Sequence, residues 1–303
     1  MHELTIGIND TIIEYLAVII LALIISLLLT YAALRIKVIT KDALIPSMLI
    51  GFMILIGGPS TIIPFATFLG SSSSLTKIGV EKKEELGTAE DVKGRNWKQV
   101  LAVGLVPGTL ALLAGVAYFM HNVMIYQMLS IASATSIAYS NADTWASELG
   151  VLSRSRPRLI IKPWVKVDPG VSGGVTLLGE VSSLLGSSTI ALTYLGTQYL
   201  LRYLGYIDSI DLWFVLIILI LGYLGEVLDS VFGVLFQPKY VCPRCGVMTD
   251  RKIHVCGERT VRVMGNYDLE NEDVNLLVSA TIAVVSIVTL TLFLNPHLLI
   301  TNL

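Results

Sequence analysis

The chain has 303 residues, of which 54% are hydrophobic and only 15% are charged, and its mean hydropathy is +0.73. Charged residues make up about a quarter of a typical soluble domain, so this composition excludes an ordinary soluble protein and indicates an integral membrane protein. The formal net charge of −2 hides a strong asymmetry, because the basic residues are confined to a few segments between long apolar runs.

Apolar runs long enough to cross a bilayer need about 20 residues, and six are clear: 12–34, 99–119, 123–142, 174–196, 212–236 and 274–294. The stretch 43–76 is long enough to cross twice, with Gly57, Gly58 and Pro59 at the turn. The acidic N-terminus and the length of the first run argue against a cleaved signal peptide. The predicted fold class is therefore all-α, a polytopic membrane helix bundle of about eight transmembrane helices forming one domain over 1–303.

Charge placement predicts the orientation of these spans, because cytoplasmic loops collect Lys and Arg. The segments 35–42, 77–98, 143–170 and 237–273 contain twenty of the twenty-one basic residues, and the exception is Arg202. We expect these four segments in the cytosol and both termini outside. A seven-span arrangement ranks second, because it would place one of the first two basic clusters on the wrong face.

The segment 237–273 is predicted to be a small cytosolic insert that binds zinc. "CPRCG" and "HVCG" supply Cys242, Cys245, His254 and Cys256, and a Cys-x₂-Cys turn typically provides two of the four ligands that tetrahedral zinc requires. Three cysteines do not suggest a disulfide framework. Free thiols or a redox pair remain the alternative. With four protein ligands, the zinc would be structural.

The segment "ADTWASELG" at 142–150 offers two carboxylates, Asp143 and Glu148, directly after a predicted span. On a helix, Asp143 and Ser147 share a face, whereas Glu148 lies about 140° round from Asp143. Ionisable groups at membrane depth usually mark a functional site, so both acids are candidate catalytic residues. The alternative is that Asp143 only caps a helix and Glu148 is partly solvated.

A glycine-rich turn follows in "DPGVSGGVTLLGE" at 168–180, where a span is predicted to begin. Such a turn exposes N–H groups and the positive end of the helix dipole, which bind phosphate, although glycines also allow close helix packing in membranes. Basic residues of 153–166 lie between the two carboxylates and this turn, and the segment 70–79 adds hydroxyls and Lys77 at the predicted cytosolic end of another span. The candidate phosphate and nucleotide contacts are Ser74, Lys77, Asn141, Ser147, Arg158, Lys162, Gly170, Ser172, Gly173, Gly174 and Thr176.

Three further acids, Glu180, Glu226 and Asp229, fall within predicted spans, and the last two share a helix face. With Asp143 they form the candidate Mg²⁺ ligands. Magnesium usually takes one or two carboxylates together with substrate phosphates, so these acids exceed the needs of one ion. The acidic stretch 266–275 is read as mostly solvated.

Several separated motifs resemble the family of plant phytyl-phosphate kinase and animal transmembrane protein 19. They are "SSSSLTKIG", "ADTWASELG", "PRLI", "GVSGGVT" and "NEDVNLL", spread over roughly 40–295. A more distant similarity connects the central segment with CTP-dependent phytol and dolichol kinases. Where the family commonly has Gly-Thr-Ser-Gly-Gly, this chain has Val171, so any hydroxyl role at that position is lost.

This resemblance implies a magnesium-dependent kinase that transfers a phosphoryl group from CTP to a prenyl monophosphate, phytyl or geranylgeranyl phosphate. Asp143 and Glu148 would then be catalytic or metal-binding, and Ser172, Gly173 and Gly174 would contact the nucleotide phosphates. The expected partners are the lipid and the nucleotide, and no nucleic acid is expected. The protein would be embedded in a membrane, and the sequence does not decide whether it forms a homodimer. The alternatives are a prenol kinase, a CDP-lipid-forming transferase or an ion-coupled transporter.

Overall fold

The computed structural model describes residues 2–88, 94–265 and 269–294, and for residues 2–12 it describes the backbone alone. The described chain is mostly helical. Its helices are α1 (His2–Arg35), α2 (Leu44–Ile56), α3 (Pro59–Thr76), α4 (Val80–Leu86), α5 (Trp97–Phe119), α6 (Val123–Gly150), α7 (Leu177–Tyr203), α8 (Leu212–Phe236) and α9 (Asn271–Leu294). A short 3₁₀ turn, Lys41–Ala43, precedes α2.

Local sequence chemistry sets several of the helix ends. Gly58 has a φ of 78°, a left-handed conformation that suits glycine, and it reverses the chain between α2 and α3. Asn96 and Gln99 form a capping box at the start of α5. The Thr176 hydroxyl accepts a hydrogen bond of 3.0 Å from the Gly179 N–H and so caps α7. The predicted span from 174 therefore begins at residue 177, after this cap.

Four described helices are long and apolar enough to cross a membrane: the 13–35 part of α1, α5, α8 and α9. The predicted eight spans correspond to α1–α3 and α5–α9, but the count of eight is not confirmed. Helix α2 has 13 residues, about 20 Å at 1.5 Å per residue, which is less than the hydrocarbon thickness of roughly 30 Å. Helices α3, α6 and α7 are rich in Ser, Thr, Gly and Ala.

Helix α6 is the centre of the bundle and packs against α3, α5, α7, α8 and α9. Every residue from 130 to 142 is buried, which is the pattern of a helix enclosed on all sides. Its small residues allow the neighbouring backbones to approach closely. The helix continues to Gly150 rather than ending at 142, so Asp143 and Glu148 lie within it and not after it.

Two small antiparallel sheets depart from the all-α prediction. The first has the strand order β2-β1-β3 and contains β1 (Arg158–Leu159), β2 (Lys162–Lys166) and β3 (Gly174–Val175). The second has the order β5-β4-β6 and contains β4 (Lys239–Val241), β5 (Met248–Thr249) and β6 (Val261–Met264). Both lie in polar segments between helices, where a short chain satisfies its backbone groups by pairing with itself.

The four basic segments meet at one end of the bundle. The contacts that join them are Arg95 N–H to Val38 O at 2.9 Å, Lys82 Nζ to Leu152 O at 3.1 Å, Lys98 Nζ to Glu270 Oε2 at 2.5 Å and Met248 N–H to Asp168 Oδ2 at 2.9 Å. The assignment of this basic end to the cytosol stays a prediction. The outside location of the termini also stays a prediction. Residues 1 and 295–303 lie outside the described residues, as do 266–268 of the acidic stretch.

Candidate functional site

Four acidic residues lie between the central helix and two of its neighbours, and we call them the acid cluster: Asp143, Glu180, Glu226 and Asp229. Helix α6 carries Asp143, α7 carries Glu180 and α8 carries the other two. Asp143 repels Asp229 and Glu226, and Glu180 repels Glu226. The fold therefore gathers these four candidates into one region of like charge.

Hydrogen bonds from neighbouring side chains hold three members of the acid cluster. The Tyr139 hydroxyl donates to Asp229 at 2.7 Å, and the Tyr223 hydroxyl donates to Glu180 at 3.0 Å. Glu226 accepts bonds of 3.2 Å from both Ser183 and Ser230. Each of these acids therefore has a donor within the bundle, as buried polar groups require.

Asp143 differs from the other three members. Within the described ranges no hydrogen-bond donor reaches its carboxylate, and its side chain is only partly buried. Arg95, which precedes α5, attracts it electrostatically. A partly buried carboxylate that a cation attracts and that no described donor holds is suited to bind a ligand.

Magnesium fits this cluster only through one or two carboxylates. Among the residues that the structure describes, the predicted set of four does not converge into a group that could enclose one ion. Asp143 and Asp229 nevertheless repel each other electrostatically, and a divalent cation between them would relieve this repulsion. This arrangement matches the preference of Mg²⁺ for few carboxylates and several phosphate or water oxygens.

Asn141, a predicted nucleotide contact, is engaged by the protein. Its Oδ1 accepts bonds from Ser71 at 2.9 Å and Ser72 at 3.2 Å, and its Nδ2 donates to the Gly186 carbonyl at 2.8 Å. It therefore ties α3, α6 and α7 together. The hydroxyls of Ser74 and Ser147 donate to carbonyls within their own helices.

Glu148, the second candidate catalytic residue, forms an ion pair with Lys83 of α4. The Lys83 side chain is 2% exposed and that of Glu148 is 16% exposed. Glu148 also accepts a hydrogen bond of 2.9 Å from Thr76, and Lys83 donates to the Leu75 carbonyl at 3.1 Å. Glu148 thus joins the ends of α3, α4 and α6, which favours a positioning role.

The glycine turn, residues 170–176, contacts the insert rather than an open cleft. Both the backbone N–H and the hydroxyl of Ser172 donate to Asp250. Lys239, which is 1% exposed, has its ammonium 3.7 Å from the other oxygen of Asp250, and burial lowers the pKa of Lys239. A carboxylate therefore occupies the donors that were assigned to a nucleotide phosphate, and Ser172 could bind one only after Asp250 moved.

Close packing accounts for the glycines of this turn. A Cβ at Gly173, whose φ is 72°, would lie 2.5 Å from the Ser230 carbonyl oxygen. At Gly174 it would lie 2.8 Å from the Val171 carbonyl oxygen. Gly170 also has a positive φ, of 84°. These distances support the alternative that the glycines serve close packing. Contacts with a nucleotide stay predictions for Gly170, Ser172, Gly173, Gly174 and Thr176.

Two predicted basic contacts lie on the exposed β1–β2 hairpin. Arg158 donates to the Pro163 carbonyl at 2.7 Å, and Lys162 is exposed on β2. Lys77, at the end of α3, is also exposed. All three lie at the basic end of the bundle, but the hairpin does not contact the acid cluster through any bond among the described residues.

The Cys/His group of the insert converges on one point. The ligand atoms of Cys242, Cys245, His254 and Cys256 all lie within 4.8 Å of one another. The Cys242 and Cys256 sulfurs are 3.6 Å apart, close to the edge of about 3.8 Å expected for a tetrahedron of zinc–sulfur bonds and too long for a disulfide. His254 lowers the pKa of the Cys256 thiol to about 6, which favours the thiolate that metals bind.

We expect purified protein to contain about one zinc ion per chain and His254→Ala to lose most of it, because a tetrahedral site needs all four ligands. Metal analysis of the two proteins by mass spectrometry would check this. His121→Ala is the matched control, because His121 lies at the opposite end of the bundle and should leave the zinc content unchanged. A folded wild-type protein without zinc would contradict the assignment.

Sequence reasoning missed Arg95, Lys83, Tyr139 and Asp250. In the sequence Arg95 is one of many basic loop residues, whereas in the structure its guanidinium lies 5.2 Å from the centre of the Phe68 ring and attracts Asp143 electrostatically. Lys83 and Asp250 carried no signal, because their partners Glu148 and Ser172 are distant in sequence. Tyr139 could have been found, since it precedes Asp143 by one helical turn.

Comparison with known proteins places the chain among membrane proteins. The family model described as "Integral membrane protein DUF92" matches residues 24–283. The chain is 32% identical over 204 residues to "Uncharacterized membrane protein MJ0933" of Methanocaldococcus jannaschii, covering 67% of this chain and 76% of that protein. It is 30% identical over 223 residues to "Protein PGR" of Arabidopsis thaliana, covering 69% and 74%. No solved structure matches the chain.

Proposed function

Because the chain belongs to the DUF92 family of integral membrane proteins, we propose that it is a CTP-dependent kinase. Its acceptor would be a prenyl monophosphate, such as phytyl or geranylgeranyl phosphate, that stays in the membrane. The products would be the prenyl diphosphate and CDP. The choice of CTP and of a prenyl acceptor rests on the motif resemblance of 70–79, 142–150 and 170–176.

The observation that carries the proposal is the state of Asp143. It is the member of the acid cluster whose carboxylate has no donor in the described chain, and the Arg95 cation attracts it electrostatically near the basic end of the bundle. Phosphoryl transfer asks a protein mainly to position two phosphates and to neutralise their charge. A carboxylate without a described donor, in the electrostatic field of a guanidinium, supports both tasks.

In this reaction, bound Mg²⁺ would neutralise the phosphate oxygens. Asp143, with Asp229 behind it, would hold the ion, and Tyr139 would keep the Asp229 carboxylate in place through its 2.7 Å hydrogen bond. Arg95 would orient the acceptor phosphate by charge and by the donors of its guanidinium. Asn141 would keep α3 and α7 in register around the site.

We expect CTP or CDP with Mg²⁺ to raise the thermal stability of the detergent-purified protein more than ATP or GTP does. A ligand at about 100 times its Kd stabilises the native state by about 2.7 kcal/mol. A melting screen of nucleotides with and without Mg²⁺ measures this, and an assay with CTP and geranylgeranyl phosphate should then yield CDP.

Other outcomes of these assays would identify other functions. Release of pyrophosphate instead of CDP would indicate a CDP-lipid-forming transferase, and turnover of the free prenol would indicate a prenol kinase. Indifference to every nucleotide, together with substrate uptake into vesicles, would replace the enzyme by a transporter. A folded protein that turns over no prenyl phosphate and no prenol would overturn the proposal.

A further inference from the structure

A cavity of about 280 Å³ lies between α1, α2, α3 and α5, and no member of the acid cluster lines it. Its wall is mainly apolar and includes Leu29, Ile50, Ile54, Phe65, Ala66 and Leu69. Such a wall suits an apolar chain and offers few partners to water.

Three cations line this cavity without any acid among its lining residues: Lys37, Lys77 and Arg95. Lys37 lies just after α1, and Lys77 lies at the end of α3. Arg95 lies two residues before α5, and its backbone pairs with that of Ile39. All three therefore lie at the basic end. Neither Lys37 nor Lys77 has a side-chain partner in the described part of the chain. The charge at this end complements an anion.

A buried polar atom also faces this region. The Ser47 hydroxyl, in the first turn of α2, lines the cavity and has no hydrogen-bond partner among the described residues. A buried hydroxyl without a partner costs free energy of about 1–3 kcal/mol, and a phosphate or other polar group at the mouth of the cavity would satisfy it. This observation is independent of the three cations.

Access from the bilayer is provided by the loose attachment of α1. This helix packs mainly against α2, and only 17% of its apolar span is buried. Ala66 and Leu69 of α3, which line the cavity, are exposed. A lipid tail can therefore reach the cavity sideways from the membrane, whereas the three cations meet its head group at the surface.

We propose that this cavity binds the acceptor lipid, with the prenyl tail between α1, α2, α3 and α5 and its phosphate on Lys37, Lys77 and Arg95. The proposal rests on the proposed function, because it assigns the acceptor site of that reaction. Arg95 is the link between the two regions, since it lines the cavity and attracts Asp143. Arg95 would therefore bring the acceptor phosphate close to Asp143, the carboxylate that would hold Mg²⁺.

The test measures equilibrium binding of radiolabelled geranylgeranyl phosphate in the absence of nucleotide. We expect Ala66→Phe, which places a ring where the tail would enter the cavity, and Lys77→Gln, which removes a phosphate contact, each to weaken binding by about tenfold or more. Ala17→Phe is the matched control, because Ala17 is exposed on α1 and does not line the cavity. It should bind like the wild type. Lys37→Gln provides a second charge variant if Lys77→Gln does not fold.

Two competitors distinguish the sources of the phosphate. Inorganic phosphate should compete at least about a hundredfold more weakly than geranylgeranyl phosphate, because it lacks the tail, and geranylgeraniol should also compete weakly, because it lacks the charge. Equal competition by geranylgeraniol would show that the cations bind no phosphate. Unchanged binding in both Ala66→Phe and Lys77→Gln would overturn the proposal.

Failure of this site and failure of the proposed function give different results. If the wild type binds the lipid and the variants do not, but CTP is never consumed, the lipid site stands and the kinase reaction fails. If CTP is consumed with an unchanged KM for the lipid in Ala66→Phe and Lys77→Gln, the kinase reaction stands and the acceptor lies elsewhere.

Discussion

Asp143→Asn is expected to lower the kcat of prenyl-phosphate phosphorylation by about a thousandfold, because it removes a charge that acts on the transferring phosphate. The variant should fold at least as well as the wild type. Asparagine has nearly the same shape, and its neutral side chain no longer repels Asp229 and Glu226. Loss of activity with unchanged or higher thermal stability is therefore the result that identifies a functional carboxylate. Initial rates of CDP formation and melting curves would measure both.

The control for this variant is Asp211→Asn at the opposite end of the bundle. Asp211 caps α8 by accepting a hydrogen bond of 3.0 Å from the Trp213 N–H, and asparagine caps helices equally well. Both the rate and the stability should match the wild type. An Asp143→Asn enzyme that keeps more than about a tenth of the wild-type kcat would remove Asp143 from the chemistry.

The helices that are long and apolar enough to cross a membrane could be predicted from the sequence, because their apolar runs are long. Helices α1, α5, α8 and α9 are of this kind. Helices α3, α6 and α7 gave a weaker signal, because their packed faces carry Ser, Gly and Ala instead of Leu and Ile. This is why α6 was predicted to end at 142, although it continues to Gly150. The small sheets were missed because strands of two to five residues leave little periodicity.

The site was predictable only where its residues are close in sequence. The Cys-x₂-Cys and His-x-Cys pairs predict their own convergence, and the described ligand atoms do lie within 4.8 Å. The ends of the bundle are different, because residues from separate loops meet there only after the helices pack. The electrostatic attraction between Arg95 and Asp143 and the hydrogen bond from Ser172 to Asp250 are of this kind. Local spacing does not encode such pairs, so the phosphate role of the glycine turn was inferred without its actual partner.

The ion pair between Lys83 and Glu148 leads to the second large effect, a loss of stability in either single variant. Both side chains are largely buried, so removal of one partner leaves an uncompensated charge. We expect Lys83→Met or Glu148→Gln to lower the free energy of unfolding by about 3–5 kcal/mol. Replacing both residues removes both charges, so the double variant should be more stable than either single one. Melting curves of the four proteins form a double-mutant cycle that measures the coupling.

The same double variant decides what Glu148 does. If Glu148 only positions α4 against α3 and α6, as its bonds to Lys83 and Thr76 suggest, the Lys83→Met/Glu148→Gln enzyme should regain stability and keep its kcat within about tenfold of the wild type. A stable double variant with no turnover would instead place the Glu148 carboxylate in the reaction beside Asp143. Either single variant alone could lose activity through unfolding, which is why the comparison depends on the stable pair. Because the two acids lie on different faces of α6, we expect them to have different roles. Asp143 would be required for the chemistry, and Glu148 for the packing of the helix ends.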